Sequence, residues 1–230
     1  ELKASQKQLA LEKQYRDSEL KALKAQMNPH FIFNVLNSIQ EFIVLNKKDL
    51  ASDYLATFAG LIRSYLHFSN QGYISLSEEI ENLQKYLELE ALRFGDSLKH
   101  SIDIEEGINS ENKNIPTMII QPYVENAIKH GLFHKKGIKT IKLSFSSPEQ
   151  NIVCCTIEDD GIGRKNAKAI SDKKNKAFKS FATEATASRL ELLNQVTNNK
   201  IGVETIDIMD NENQAVGTKV IVTIPLIKKQ

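Results

Sequence analysis

Apolar positions along the first half of the chain recur with the period of a helix, and those along the second half mostly alternate or run as strands do. In NPHFIFNVLNSIQEFIVL, one wide arc holds Phe31, Ile32, Val35, Leu36, Ile39, Phe42 and Ile43, while His30, Asn34, Asn37 and Glu41 share a narrow polar stripe opposite. Pro29 lacks a backbone donor and crowds the preceding turn, which predicts a bend just before His30. A second helix is predicted from about Asp49 to Phe68, with Tyr54, Leu55, Phe58, Leu61, Ile62, Tyr65 and Leu66 as its apolar side. The short connection Leu45 to Lys48 would return it antiparallel to the first. Two helices bury little alone, so two chains pairing into a four-helix bundle is expected. Ser75 and Glu78 have capping-box spacing and should open a third helix through KYLELEALRF. Ahead of all three, ELKASQKQLALEKQYRDSELKALKAQM has no turn residue. Its loose heptad stripe of Leu2, Leu9, Leu20, Leu23 and Met27 is interrupted by Lys13 and Arg16. It reads as the end of a signalling coiled coil, with more protein expected before Glu1.

In the second half, HSIDIEE, KTIKLSFS, NIVCCTIED, GVETIDIM and TKVIVTIP read as strands. IPTMIIQPYVENAIKHGLF, between the first two, reads as a helix started near Pro116, with Pro122 early in it and Gly131 at its end. TEATASRLELLNQV is a further helical stretch before the last two strands. Up to Glu106 there is one proline and three glycines, and the other four prolines and seven glycines follow. Long helices therefore belong to the first half and real turns to the second, with the change near Gly95 to Ser101. The expectation is an α+β chain in three parts. These are a coiled-coil helix over 1–23, a helical hairpin region over 24–95, and an α/β sandwich over 96–230 whose mixed sheet carries helices on one face.

Composition narrows the function. With 41% apolar and 26% charged residues, the 230-residue chain has the balance of a soluble globular protein. Its formal net charge of +1 gives no basic field to hold a phosphate polymer, so nucleic acid is not an expected partner. No apolar run approaches the ~20 residues that cross a bilayer, and no signal peptide opens the sequence. Cys154 and Cys155 are adjacent, offering neither a disulfide framework nor metal-ligand spacing, and read as ordinary strand residues.

Three segments carry candidate chemistry. In QMNPHFIFNVLNSI, a histidine on the exposed side of a bundle can use a neutral imidazole nitrogen as a nucleophile. In QPYVENAIKHG, helical spacing lets two or three of Glu125, Asn126, Lys129 and His130 point to one side. The Asn126 carboxamide oxygen is a hard ligand suited to Mg²⁺, Lys129 can neutralise phosphate, and Glu125 can orient a metal-bound water or act as base. In IEDDGIGR, Asp159, Gly161 and Gly163 form D-x-G-x-G: a carboxylate able to accept from an exocyclic amine, followed by glycines that permit close backbone approach. There is no G-x-x-x-x-G-K-[ST], so a Walker-type phosphate loop is excluded. Each segment alone could be a solvated surface or a common turn.

Taken in this order and separation, the segments resemble the LytS-like sensor histidine kinases, whose catalytic half belongs to the GHKL ATP-binding superfamily. The likeness runs from about Lys24 to Leu226 and includes LIRSYLHFS, SLSEEIENLQKYLELEALRF and GTKVIVTIP. It implies a dimerisation and histidine-phosphotransfer hairpin followed by a GHKL (Bergerat) sandwich. By this resemblance His30 is phosphorylated by ATP, and Asn34, four residues on, helps to position a phosphoryl group or water. Asn126 ligates Mg²⁺, Glu125 beside it is the polarising acid, and Lys129 and His130 contact the nucleotide. Asp159 binds the adenine amino group, Gly161 and Gly163 shape the pocket, and Thr218 of the closing strand joins the contacts. Phe31 stands where other kinase families place an acidic residue. The implied partners are a second copy, through the hairpin, and a response regulator, of LytTR type, whose aspartate receives the phosphoryl group. The implied setting is the cytoplasmic domain of an inner- or plasma-membrane sensor, touching the membrane only through segments outside this chain.

One stretch departs from the family pattern. In SFATEATASRL, ahead of Arg189 and Leu190, Ser180 and Ala182 stand at glycine positions and Ala185 at an asparagine position. A Cβ disfavours left-handed backbone there by ~1–2 kcal/mol. The preceding NAKAISDKKNKAFKS reads as a mobile lid, in which Lys173, Lys174, Lys176 and Lys179 would replace lost backbone contacts to phosphate. The active kinase is the favoured reading. The alternatives are a catalytically silent dimeric signalling module with a degraded lid and, more remotely, a GHKL ATPase without a phosphohistidine.

Overall fold

The computed structural model describes residues 29–68, 71–108, 111, 113–149, 151–174, 188–191, 193–194 and 201–228, with side chains from Phe31 onward except those of 171–174 and 227–228. The expected coiled coil, the turn preceding Pro29 in which the bend just before His30 was expected, and the altered segment 180–185 lie outside these residues.

Helices α1 (Pro29–Val44) and α2 (Lys48–Phe68) form the expected hairpin. The chain reverses through Asn46, whose φ of 56° is left-handed, and Lys47 N donates to Phe42 O at 2.8 Å. The apolar arc divides in a way the periodicity did not anticipate. Val35, Ile39, Tyr54, Leu61 and Tyr65 are buried, whereas Leu36, Ile43, Leu55 and Leu66 are exposed, as is Phe33. The inner stripe is covered within the same chain by α3 (Leu76–Phe94), where Phe31 packs on Tyr86 with ring centroids 5.3 Å apart and Tyr54 Oη donates to Leu89 O at 3.1 Å. Among the described residues the outer stripe stays uncovered. α3 begins with the predicted capping box: Glu78 N donates to Ser75 Oγ, and Ser75 N donates to Glu78 Oε2. It ends at Gly95, whose φ of 60° suits a residue without Cβ.

Five strands form the mixed sheet, in the order β2 (Leu98–Ile104), β4 (Lys139–Glu149), β5 (Ile152–Asp159), β7 (Ala215–Pro225), β6 (Gly202–Met209). β2 and β4 run parallel, and the other neighbours are antiparallel. These are the five predicted strands. Cys154 and Cys155 are free thiols on β5, and burial pushes Cys155 well up. Ile141, Leu143 and Phe145 of β4, Val153 and Ile157 of β5, and Val222 and Ile224 of β7 join Leu83, Leu87, Val124 and Leu132 in one core, which also takes in the hairpin. A second, unpredicted sheet sets β3 (Lys113–Pro116) between β1 (Tyr73–Ser75) and β8 (Ile227–Lys228), all antiparallel.

Two sequence expectations are corrected. The helix expected from Pro116 starts at Gln121: residues 113–116 are strand, 117–120 turn, and α4 (Gln121–Asn126) then passes into a π-helix, Ala127–Leu132. The run Ile115 to Ile120 is buried throughout, and periodicity alone cannot separate a buried turn from a helix. Gly131 lies within the π-helix and does not end it. The start of the lysine-rich stretch, expected as a mobile lid, is regular helix. Residues 163–174 form helix α5 (Gly163–Lys174), and Lys176 and Lys179 lie outside the described residues. Of the later helical stretch, 188–191 and 193–194 are helical as predicted.

Candidate functional site

The two motif segments of the sheet half meet at Asp159. This residue closes β5, is 4% exposed, and lies opposite Thr218 of β7 in the strand register. Its Oδ1 accepts from Gly161 N at 2.9 Å. Three glycines make the enclosure possible. A Cβ on Gly131 would stand 2.6 Å from Asp159 Oδ1, one on Gly161 would overlap the Gly131 backbone, and one on Gly217 would overlap the Asp159 carbonyl oxygen. Ile162 N donates to Gly131 O at 3.2 Å, so the D-x-G-x-G turn and the π-helix are joined backbone to backbone. Gly163 opens α5 with a left-handed φ of 74°, packed so closely on Ala215 that a Cβ would lie 2.6 Å from the alanine methyl.

Burial pushes the Asp159 carboxyl up to about 6; Asp160 adds to the rise, while Lys135 and the backbone bonds from Gly161 and Thr218 oppose it. Asp160 itself is tied to Lys135 at 2.7 Å and accepts from Thr140 N at 2.8 Å. What remains at Asp159 is a poorly hydrated carboxylate with one oxygen committed to Gly161. Such a group gains most from a further N–H donor, and an exocyclic amine of a base supplies one.

Asn126 ends α4 half-buried, with Glu125 beside it. The π-helix that follows packs on β4, β5, β7 and α5. Its wider turn, marked by Phe133 N donating to Ile128 O at 2.8 Å, keeps Lys129 exposed and His130 half-buried while seating Gly131 against Asp159. Gln121 Nε2 donates to Glu125 Oε1 at 3.2 Å. Burial pushes the Glu125 carboxyl up to about 7; Glu90 adds to this, and Gln121 and Lys129 oppose it. Burial, followed by the nearby charges of Lys129 and His134, lowers His130 and so favours its neutral form. Among the described residues no three of His, Cys, Asp and Glu form a cation cage. The Asn126 carboxamide oxygen is a hard donor of the kind Mg²⁺ accepts beside phosphate and water.

His30 and Asn34 sit in another layer, on α1, whose packing partners are α2 and α3. Asn34 is half-buried; His30 is placed by its backbone only.

Sequence reasoning overlooked one buried pair. Glu79 of α3, 1% exposed, accepts from Met118 N at 3.1 Å and Ile120 N at 3.2 Å. Arg189, 3% exposed, donates to Thr117 O at 2.6 Å and Met118 O at 3.4 Å. The available signal was a carboxylate in helical register with Leu76 and Leu83, where the apolar stripe should be unbroken.

The profile of the histidine kinase-, DNA gyrase B- and HSP90-like ATPases matches residues 112–228, and a histidine kinase profile matches residues 18–98. The sensor protein LytS of Staphylococcus saprophyticus is 33% identical over 210 residues, covering 91% of this chain and 34% of that protein. The sensor protein kinase HptS of Staphylococcus aureus is 32% identical over 157 residues, covering 68% of this chain and 29% of that protein. The chain thus spans about a third of the length of these curated relatives. Among solved structures, the histidine kinase domain of the Erythrobacter litoralis blue-light activated kinase has a TM-score of 0.45 at 13% identity, covering 91% of this chain and 95% of that one.

Proposed function

The chain belongs to the histidine kinase-, DNA gyrase B- and HSP90-like ATPases, and from that premise we propose that it is the kinase core of a two-component sensor, moving the γ-phosphoryl group of ATP onto His30 and from there to an aspartate of a response regulator. The observation that supports this most is the junction at Asp159. There a buried carboxylate is walled by Gly131 and Gly161 directly after a segment bearing Asn126, Lys129 and His130.

In this reading Asp159 accepts the adenine amino group and disfavours guanine, which presents a carbonyl oxygen at that edge. Gly161 and Gly163 shape the pocket, and Thr218, opposite Asp159 on β7, contacts the nucleotide. The Asn126 carboxamide oxygen would hold Mg²⁺, which would offset phosphate charge. Lys129 faces solvent, where it meets phosphate, and the neutral His130 hydrogen-bonds the same group. His30 attacks the γ-phosphorus through one imidazole nitrogen. The N–P bond forms, the bond to the bridging oxygen breaks with its electron pair leaving on ADP, and the proton on the other ring nitrogen passes to Glu125. A carboxyl raised to about 7 is suited to accept that proton near neutral pH. Asn34, one helical turn after His30, steadies the phosphoryl group. Catalysis is otherwise positioning and charge neutralisation.

The finer parts of the reading are these. Residues 24–95 form the dimerisation and phosphotransfer unit, and 96–230 the ATP-binding unit. A second copy packs on the outer stripe of Phe33, Leu36, Ile43, Leu55 and Leu66. The regulator is of LytTR type, and the chain works as the cytoplasmic part of a membrane sensor. No helix among the described residues is long and apolar enough to cross a membrane. Incubation with γ-labelled ATP and Mg²⁺ tests the core: the expected label is acid-labile and base-stable, and is absent from His30→Gln and Asp159→Asn. Full labelling of His30→Gln would refute it.

A further inference from the structure

The turn ahead of α4 is held in an unusual way. It carries Met118 at a φ of 52°, in the left-handed region that costs a side-chain-bearing residue about 1 kcal/mol or more. Its backbone is gripped from two sides, by a carboxyl and by a guanidinium. The Glu79 carboxylate takes the N–H groups of Met118 and Ile120 and also accepts from the Gln121 backbone. The Arg189 guanidinium takes the carbonyls of Thr117 and Met118. Gln121 is the first residue of α4 and hydrogen-bonds Glu125, so the clamp ends where the helix carrying Glu125 and Asn126 begins.

Arg189 is itself anchored from behind. Leu193, one turn on, is fully buried, and Asn194 exchanges hydrogen bonds with the Ile201 backbone at 2.7 and 3.1 Å, next to β6. α4 has only six residues and no side-chain cap at its start. The π-helix anchors the far end of this run on the sheet, and the run's uncapped first turn depends on what it packs against.

We propose that Glu79 and Arg189 are positioning residues for phosphoryl transfer: by fixing the backbone at 117–121 they set the direction of α4, and so the place of the Asn126 oxygen and Glu125 relative to Asp159. This rests on the kinase reading above. Asp159 is held by the β5–β7 pairing and by Gly161 N, neither of which involves residues 117–126. Loss of the clamp should therefore leave recognition of the base intact and weaken only what depends on Asn126 and Glu125.

The test is calorimetric titration of a non-hydrolysable ATP analogue into the whole chain, with and without Mg²⁺, for wild type, Glu79→Gln, Arg189→Lys and the doubly neutral Glu79→Gln/Arg189→Met. Amide hydrogen exchange of the nucleotide-free proteins accompanies it. The expected result is a Mg²⁺-free affinity within about threefold of wild type and a Mg²⁺-dependent gain reduced about 10- to 100-fold, the range for groups that orient a metal ligand. Exchange protection should fall at 120–126 and stay at 157–159. The double variant, which removes the buried charges together, should regain thermal stability without regaining the Mg²⁺ effect. Variants that keep the full Mg²⁺ gain overturn the proposal. So does a uniform loss of both affinities in step with unfolding, or cooperative unfolding of the mild Arg189→Lys, because each is the mark of a purely structural role. A wild type with no nucleotide affinity in either condition would instead remove the kinase reading, and this inference with it.

Discussion

Replacing Asp159 with asparagine should stabilise the nucleotide-free protein while destroying its nucleotide site. The carboxyl is raised from an ordinary 3.8 to about 6, chiefly by burial. A folded pKa above the unfolded one means that the native state binds the extra proton between these values. The stabilising contribution is therefore complete below about 4 and lost as pH rises through about 6. A shift of about two units corresponds to roughly 3 kcal/mol, the cost of keeping the carboxylate charged near neutrality. Asparagine keeps the oxygen that accepts from Gly161 and carries no charge, so a gain of about 1–3 kcal/mol in unfolding free energy is expected around pH 7.5. Urea unfolding at a series of pH values gives the measurement. The difference curve between wild type and variant should be flat above about pH 6 and close as pH falls toward 4. Taking the difference also cancels the slopes from Glu79 and Glu125, each raised to about 7 by burial first. The same variant places an amide N–H₂ where the ligand's amine needs an acceptor, and adenine nucleotide affinity should fall about 100-fold or more. A less stable variant with an unchanged pH profile would refute the desolvation argument. Retained nucleotide affinity would refute the assignment of Asp159 to the base.

Gly161→Ala drives a methyl group into the Gly131 backbone and should lower stability by about 3 kcal/mol or more, whereas Gly202→Ala, whose nearest neighbour would be 3.8 Å away, should be tolerated; urea midpoints compare the two. Glu125→Gln keeps the size and loses the proton acceptor, so autophosphorylation kcat should drop by about 10²- to 10⁴-fold with nucleotide affinity nearly unchanged. Leu36→Glu with Ile43→Glu alters only exposed positions, at 48% and 59%, and should turn a dimer into a monomer in sedimentation velocity with little change in the far-UV spectrum.

What the sequence disclosed follows the range of the forces involved. The Ser75–Glu78 box, the five strands of the main sheet and the Asp159–Gly161 turn rest on neighbours a few residues apart, and all were legible. The strands β1, β3 and β8 have three, four and two residues, and they exist only because tertiary pairing brings them together. The π-helix was hidden for a similar reason: Gly131 must approach Asp159, which is remote in sequence, and regular helical spacing does not anticipate the wider turn. Residues 166–174 were misjudged because lysine-rich composition was read as a mobile lid, although lysine and alanine are good helix formers. Glu79 and Arg189 escaped notice as partners because each makes sense only across the turn at 117–121. The outer face of the hairpin looked like half of a single apolar stripe until α3 was seen to take the other half.

The central claim is that a base-binding carboxylate in the sheet domain and a histidine on the hairpin serve one reaction. Its most direct measurement is phosphopeptide mapping by mass spectrometry at neutral pH, after incubation of the chain with ATP and Mg²⁺. The account predicts a single phosphoryl increment on the peptide bearing His30, lost in Asp159→Asn. Nucleotide bound at Asp159 with that peptide unmodified, or the increment on any other residue, would contradict it.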